Sequence, residues 1–276
     1  ELDRFGDYLT AVRKTAEVQG VPANVATSEY SPGQFEINLD HVADPLQAAD
    51  HGVMLKRIVR AVARQHGFEA TFMARAYNEH IGSGLHVHVS VLDRDGENIF
   101  SSEAGQANES LRHAVGGMLG TMPEIIALLA PNANSYRRFR KDAFVPRTAC
   151  WGYNNRTVAL RIPSGPPAAR RIEHRLAGAD ASPYVVLAAV LAGLHHGLDK
   201  RIEPGPPVEG NAEDNDAPPL PVNWVDALHA FGGGRTIPDY LGEDFCRHYA
   251  ICAENLFENH ERIVTPREHE LLLGVI

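Results

Sequence analysis

Apolar residues recur at helical spacing in two segments of the first quarter of the chain. Within residues 9–19 they mark one face of a helix, which Gly20 ends. The second segment opens with Asp44 and Pro45, a capping residue followed by the proline that the first helical position favours. Its apolar positions repeat every three or four residues over residues 45–66. The pattern predicts two amphipathic helices, each with one buried face.

Alternating apolar and polar residues predict short strands elsewhere. The turn formers Ser31, Pro32 and Gly33 separate the first two strands, so these strands form a candidate hairpin. The predicted strands are residues 24–29, 34–39, 70–74, 85–92, 98–100, 157–162 and 170–175.

Later segments read as helices and one long loop. Helical spacing returns over residues 110–129, residues 183–199 and the C-terminal section. Residues 204–221 are rich in Pro, Gly, Asp and Asn without periodicity, which predicts a surface loop. Because no repeat is visible, we expect a single α+β domain over residues 1–276, with mostly antiparallel strands.

Composition narrows the class of protein. With 276 residues, 44% of them hydrophobic, the chain can bury a sizeable core. Lys and Arg number 26 against 35 Asp and Glu, and a net charge of -9 opposes nucleic-acid binding. The longest apolar runs fall short of the roughly 20 residues that span a membrane. Cys150, Cys246 and Cys252 form no disulfide framework, so we expect a cytoplasmic protein.

The segment G-S-G-L-H-V-H-V-S carries the sharpest chemical pattern. A strand places His86, His88 and Ser90 on one face, and the intervening leucine and valines on the other. Neutral imidazoles suit a metal ion and charged ones suit phosphate oxygens. The alternative is a pair of ordinary hydrogen-bonded histidines.

The candidate hairpin brings carboxylates together. Glu36 and Asn38 alternate with apolar neighbours, and the turn can return Glu29 to their side. Two adjacent carboxylates repel unless a cation lies between them, so the pair suits Mg²⁺ or Mn²⁺. The alternative is two solvated glutamates beside a turn.

An arginine-rich centre follows in this acidic chain. Arg171, Glu173 and Arg175 share one strand face, where two cations beside a carboxylate can grip a phosphate around a metal ligand. The alternative is an exposed ladder of charges. Arg156 and Arg161 lie an odd number of positions apart, so a regular strand would place them on opposite faces. They can face one site only if the strand bulges or if they lie at the two ends of that site.

Several sequence motifs, taken together, resemble the catalytic domain of the glutamine synthetase family. The resemblance runs from about Val25 to the end of the chain and is closest to the γ-glutamylpolyamine synthetase and γ-glutamylamide ligase branch. It rests on Glu29 with S-P-G-Q-F-E, G-S-G-L-H-V-H-V-S, N-S-Y-R-R, N-R-T-V-A-L-R and A-R-R-I-E-H-R-L-A-G-A-D-A-S-P-Y.

The resemblance implies a curved, mainly antiparallel sheet with helices packed outside, and an ATP-dependent ligase with two to three Mg²⁺ or Mn²⁺ ions per site. The γ-carboxylate of glutamate would attack ATP, and an amine would displace phosphate from γ-glutamyl phosphate. The implied metal ligands are Glu29, Glu36, His86 and Glu173. The implied nucleotide contacts are His88, Ser90, Arg161 and Arg171, the glutamate contacts are Gly82, Arg138 and Arg175, and the catalytic residues are Arg156, Arg138 and Glu36.

Three positions depart from the family pattern. Phe144 stands where glutamine synthetase proper has a glutamate that helps to deprotonate ammonium, so we expect an amine larger than ammonia. Ile81 replaces an asparagine beside the glutamate pocket, and Ala168 replaces a lysine near the phosphates. Glutamine synthetase proper and a non-catalytic relative remain alternatives. A zinc hydrolase is the weakest, because His86 and His88 have no third ligand at suitable spacing.

The resemblance also implies elements that the 28 residues before Glu29 cannot hold. These are an E-x-E strand with one ligand for each metal and an N-terminal β-grasp domain that completes the neighbouring subunit's site. We therefore expect weak metal binding and little turnover from this chain alone. The full-length protein is expected to form a homo-oligomeric ring, a dodecamer by the resemblance.

Overall fold

The computed structural model describes residues 2–103, 106–141 and 143–275. Two helices form where the apolar spacing predicts them, α1 over Gly6–Val18 and α2 over Pro45–Gln65. The Asp44 side chain accepts a hydrogen bond from the Leu46 N–H at 2.8 Å and so caps α2. The two helices bury Val12, Ile58 and Val62 between them.

A two-stranded antiparallel hairpin packs on these helices. Its strands are β1 (Ala23–Ser28) and β2 (Phe35–Leu39), with Thr27 opposite Glu36. Ile37 packs toward the buried cluster while Glu36 stays exposed. The predicted hairpin and the alternation of its faces are both confirmed.

A second, four-stranded sheet lies at the centre of the larger core. It contains β3 (Val87–Val89), β4 (Trp151–Tyr153), β5 (Leu160–Ile162) and β6 (Ile172–His174) in the order β3-β6-β5-β4. The β3–β6 and β5–β6 pairs are antiparallel, and β4–β5 is parallel. The small, mixed sheets confirm an α+β fold whose pairings are mainly antiparallel.

Helices surround this sheet. The helices α3 (Glu109–Leu129) and α5 (Pro183–Lys200) approach so closely that a Cβ on Gly117 would lie 2.2 Å from the Gly197 nitrogen. In the described part of the chain, no helix has the length and apolarity to cross a membrane. The remaining α-helices are α4 (Ala133–Tyr136), α6 (Trp224–Gly232), α7 (Ile237–Leu241), α8 (Glu243–Glu261) and α9 (Pro266–Leu272).

The predicted strand at residues 70–74 is wrong. Within the described chain, its backbone pairs with no other strand. Instead, a loop supplies partners, since the Ser83 N–H donates to the Ala74 carbonyl at 2.8 Å. Residues 98–100 form only one bridge, between Asn98 and Leu92. The strands β3, β5 and β6 are shorter than predicted, and β4 was not predicted. Residues 204–221 hold a single 3₁₀ turn and bury Val208 and Leu220.

Candidate active site

Glu173 is the centre of a buried ion network on the four-stranded sheet. Its side chain is 3% exposed, and Arg161 Nη1 donates to its Oε2 at 2.5 Å. Arg175 Nη1 donates to the other oxygen, and His86 Nδ1 lies 3.4 Å from that same oxygen. We call Glu173, Arg161, Arg175 and His86 the sheet centre. The sequence predicted these residue types, and the register brings them together.

Burial and nearby positive charge together set the ionisation of the sheet centre. Burial alone would raise the pKa of Glu173, but Arg175 and the hydrogen bond from Arg161 outweigh it and lower that pKa. Burial, helped by Arg175, lowers the pKa of His86 to about 3. The carboxylate is therefore charged and the imidazole neutral at physiological pH, which is the state each needs to ligate a metal ion.

The strand register aligns three polar side chains in one row across the sheet. His88 on β3 pairs with Glu173 on β6, which pairs with Arg161 on β5. Arg171 Nε donates to His88 Nδ1 at 3.1 Å, and burial lowers the pKa of His88. Ser90 continues the same exposed face beyond β3. The predicted segregation of the two strand faces is confirmed, with Val87 buried opposite.

The hairpin carries a second pair of acids, Glu29 and Glu36, which we call the hairpin pair. Burial raises the pKa of Glu29, and the charge of Glu36 and a hydrogen bond with it raise it further. A backbone hydrogen bond at Tyr30 opposes this rise, and so does the positive charge of Arg156. The two carboxylates repel each other, and a cation between them would relieve that repulsion.

Hydrogen bonds fix the hairpin turn to the loop before β3. Gln34 Nε2 donates to the Gly82 carbonyl at 3.2 Å and to Ser83 Oγ at 3.3 Å. The Ile81 N–H donates to Ser31 Oγ at 2.9 Å. The hairpin pair is thereby held in a defined place relative to the strand that follows this loop.

Arg138 lies beneath Gly82 as a buried guanidinium. A Cβ on Gly82 would lie 2.6 Å from Arg138 Cγ, so only glycine fits there. Arg138 is 2% exposed, and its Nη1 donates to the Leu176 carbonyl at 3.0 Å. Among the described residues it forms no ion pair, its Nε has no partner, and burial lowers its pKa to about 10. A carboxylate ligand is the partner that such a group favours.

Two features of the site were missed by sequence reasoning. Tyr30 stacks on Phe144 with ring centroids 5.4 Å apart, and both rings are more than half exposed. Phe144 has φ of +55°, an unusual value for a bulky residue. The other missed feature is Asn154, whose Oδ1 accepts from Arg161 Nη2 at 2.7 Å. An aromatic residue directly after Glu29 was the available signal for the ring pair.

The donor set fits divalent ions that share their coordination with a ligand. Within the described ranges, no three His, Cys, Asp or Glu side chains gather as a complete metal site. Mg²⁺ commonly takes one or two carboxylates and completes its shell with phosphate oxygens and water. The hairpin pair fits this pattern, as does His86 with Glu173, provided that a guanidinium frees a carboxylate oxygen.

Known proteins of one family are similar to this chain. The family described as glutamine synthetase, catalytic domain, matches residues 1–272. γ-Glutamylputrescine synthetase PuuA of Escherichia coli (strain K12) is 46% identical over 272 residues, covering 99% of this chain and 58% of the relative. Glutamate–isopropylamine ligase of a Pseudomonas species is 34% identical over 249 residues, covering 88% of this chain and 54% of the relative.

A solved structure shares the architecture. The complex of GmaS with ADP has a TM-score of 0.89 and 28% sequence identity, covering 99% of this chain and 65% of that chain. The chain therefore spans between half and two thirds of the length of these three proteins.

Proposed function

Because the chain belongs to the glutamine synthetase family, we propose that the protein joins the γ-carboxylate of glutamate to an organic amine, driven by ATP. One observation carries the proposal. The sheet centre holds a buried carboxylate between two guanidinium groups and a neutral imidazole, beside a row that continues to His88. Phosphoryl transfer needs such positioning and positive charge more than covalent chemistry by the protein.

The nucleotide would lie along the exposed face of β3 and β6. Arg171 and His88 are already hydrogen-bonded there, and Ser90 extends that face. Arg161 and Arg156 would balance the charge of the transferring phosphoryl group. The similarity to GmaS, which was solved with ADP, supports a nucleotide site in this fold.

The two pairs of ligands would hold divalent ions. Glu29 and Glu36 would bind one ion near the glutamate, and His86 with Glu173 would bind another near the phosphates. Such ions polarise phosphoryl and carboxyl oxygens. Mg²⁺ and Mn²⁺ suit these oxygen-rich ligands better than a closed zinc site does.

Glutamate would bind over the loop before β3. Arg138 offers a buried guanidinium without a carboxylate partner, and Arg175 lies at the edge of the sheet centre. Gly82 allows the backbone to lie close to Arg138, because a Cβ there would clash with the Arg138 side chain. Two arginines in contact with the carboxylates of one amino acid would explain how an acidic protein recognises an acidic substrate.

The reaction would proceed in two balanced steps. An oxygen of the γ-carboxylate attacks the γ-phosphorus of ATP, and the bond from that phosphorus to the ADP oxygen breaks. The amine nitrogen then attacks the acyl carbon of γ-glutamyl phosphate, loses a proton, and phosphate leaves. The guanidinium groups stabilise the developing charge on oxygen in both steps.

The stacked, exposed rings of Tyr30 and Phe144 favour an amine larger than ammonia. Phe144 cannot accept a proton, but its ring and that of Tyr30 can contact an alkyl chain or an ammonium head. The printed names of the two relatives, a putrescine and an isopropylamine ligase, point to the same class. We therefore place the acceptor among primary alkylamines and diamines.

Phosphate release by the full-length protein tests this proposal. With ATP, glutamate and Mg²⁺, we expect putrescine or isopropylamine to stimulate release at least tenfold more than ammonia does. Phe144→Glu should shift the preference toward ammonia, whereas Phe144→Tyr, which keeps a ring, should not. Equal stimulation by ammonia would overturn the choice of amine, and no release with any acceptor would overturn the ligase.

The family resemblance also supports a homo-oligomeric ring in the cytoplasm as the working state of the full-length protein. Cys150, Cys246 and Cys252 are free thiols in the structure, which suits a reducing compartment. Sedimentation of the full-length protein at micromolar concentration tests the assembly, and a monomer there would contradict it.

A further inference from the structure

Asn154 has a left-handed backbone directly after β4. Its φ is +47°, and its N–H donates to the Ile162 carbonyl at 2.8 Å, which fixes the turn against the end of β5. Asparagine tolerates this conformation better than most residues do. The side chain itself is exposed and lines an open cavity of about 410 Å³, so the core does not depend on it.

The Asn154 side chain holds Arg161 from the side opposite Glu173. Arg161 Nη2 donates to Asn154 Oδ1 at 2.7 Å, and Nη1 donates to Glu173 at 2.5 Å. The β4 residue paired with Arg161 is Gly152, where a Cβ would lie 2.7 Å from the Val208 carbonyl. No side chain can stand at that register position, so Asn154 supplies the support from two residues further along.

We propose that Asn154 is a positioning residue that fixes the guanidinium of Arg161 for phosphoryl transfer. This inference rests on the proposed function, in which Arg161 contacts the transferring phosphoryl group. A guanidinium held at one terminal nitrogen alone can rotate about the remaining bonds of its long side chain. Contacts at both terminal nitrogens restrict it to one orientation, and misplacement of a catalytic cation by about 1 Å can cost a large factor in rate.

Asn154→Gly in the full-length protein removes the amide oxygen and keeps the left-handed backbone. Arg201 is a matched control, because it is exposed, has φ of +52° and lies at the end of α5. Asn154→Asp restores an oxygen acceptor at the same position. Crystal structures and steady-state kinetics of these variants separate the placement of Arg161 from its effect on the reaction.

The proposal predicts that Asn154→Gly moves the Arg161 guanidinium away from Glu173. It also predicts that kcat falls about tenfold while KM for glutamate changes less than twofold. Asn154→Asp should restore the position of Arg161, and Arg201→Gly should change neither property. An unmoved guanidinium overturns the inference, as does a moved one with unchanged kcat. If the unmodified enzyme shows no ligase activity, the proposed function fails, and the crystal structures alone still decide whether Asn154 positions Arg161.

Discussion

The sheet centre and the hairpin pair differ in how far the protein balances the charges of their carboxylates. Glu173 is almost fully buried, and two guanidinium groups neutralise it within the fold. Glu29 and Glu36 are exposed, and partial burial and their mutual repulsion raise the pKa of Glu29, which a backbone hydrogen bond at Tyr30 and the charge of Arg156 oppose only in part. The charges of the first region are therefore balanced by the protein itself, whereas a cation would relieve the repulsion that remains in the second.

We expect the largest effect on stability from a substitution in the sheet centre, where the charges are balanced. Glu173→Gln keeps the volume but leaves Arg161 and Arg175 without their carboxylate, so we expect a loss of about 3–5 kcal/mol in the free energy of unfolding. Chemical denaturation measures it. Glu203→Gln removes the exposed partner of Arg112 and should change stability little. Equal losses from the two variants would contradict the contrast between buried and exposed pairs.

Acid is expected to lower the free energy of unfolding through a histidine on the other face of the sheet. His174 is buried without a hydrogen-bond partner among the described residues, and burial lowers its pKa to about 4. The unfolded chain therefore binds the proton more readily between pH 6.5 and 4, so stability falls as the pH drops through that range. The loss reaches about 3 kcal/mol.

The variant His174→Leu tests this source of acid sensitivity. It should remove that part of the pH dependence of the unfolding free energy and keep the part due to His86, whose pKa is also lowered. An unchanged slope between pH 6.5 and 4 would show that His174 does not cause the acid sensitivity.

A smaller effect of opposite sign is expected at Arg138, a buried cation whose burial the charge of Asp180 offsets only in part. Arg138→Met removes a buried charge that has no ion-pair partner among the described residues. We expect the free energy of unfolding to rise by about 1–3 kcal/mol and KM for glutamate to rise at least tenfold. Destabilisation would show that the bond to the Leu176 carbonyl outweighs the cost of burying the charge.

The smallest stability effect is expected at the hairpin pair. Glu36→Gln removes one of two repelling carboxylates, so thermal unfolding without divalent ions should occur at the same or a higher temperature. Thr27, which pairs with Glu36 across the hairpin, keeps the strand register in the variant. A clear loss of stability would mean that the hydrogen bond which Glu36 Oε1 accepts from Asn38 Nδ2 at 3.1 Å outweighs the repulsion.

Local patterns predicted the two faces of each region, but not what each face contacts. Period two along a strand is sufficient to place Glu36 apart from Ile37, and His88 apart from Val87. The ion network of Arg161 with Glu173 depends on the register between strands, which no local pattern encodes. The four-residue helix α4 is too short to show periodicity, and the stacking of Tyr30 on Phe144 joins distant segments.

The strand predicted at residues 70–74 fails for a related reason. Its apolar composition fits a strand, yet the Met73 N–H donates to Thr71 Oγ1 at 3.1 Å. In Arg75, the residue that follows this segment, the N–H donates to the Asn134 side chain at 2.9 Å and the carbonyl accepts from it at 2.8 Å. Backbone groups there are satisfied by side chains and loops. Tertiary contacts thus override the local preference.

A titration of Mn²⁺ into the nucleotide-free, full-length protein tests the central contrast most directly. If the hairpin pair is the uncompensated region, Glu36→Gln weakens binding at least tenfold while His86→Ala changes it less than twofold, since the sheet centre requires nucleotide phosphates to hold its ion. The reverse pattern, with binding lost in His86→Ala and retained in Glu36→Gln, would contradict the account.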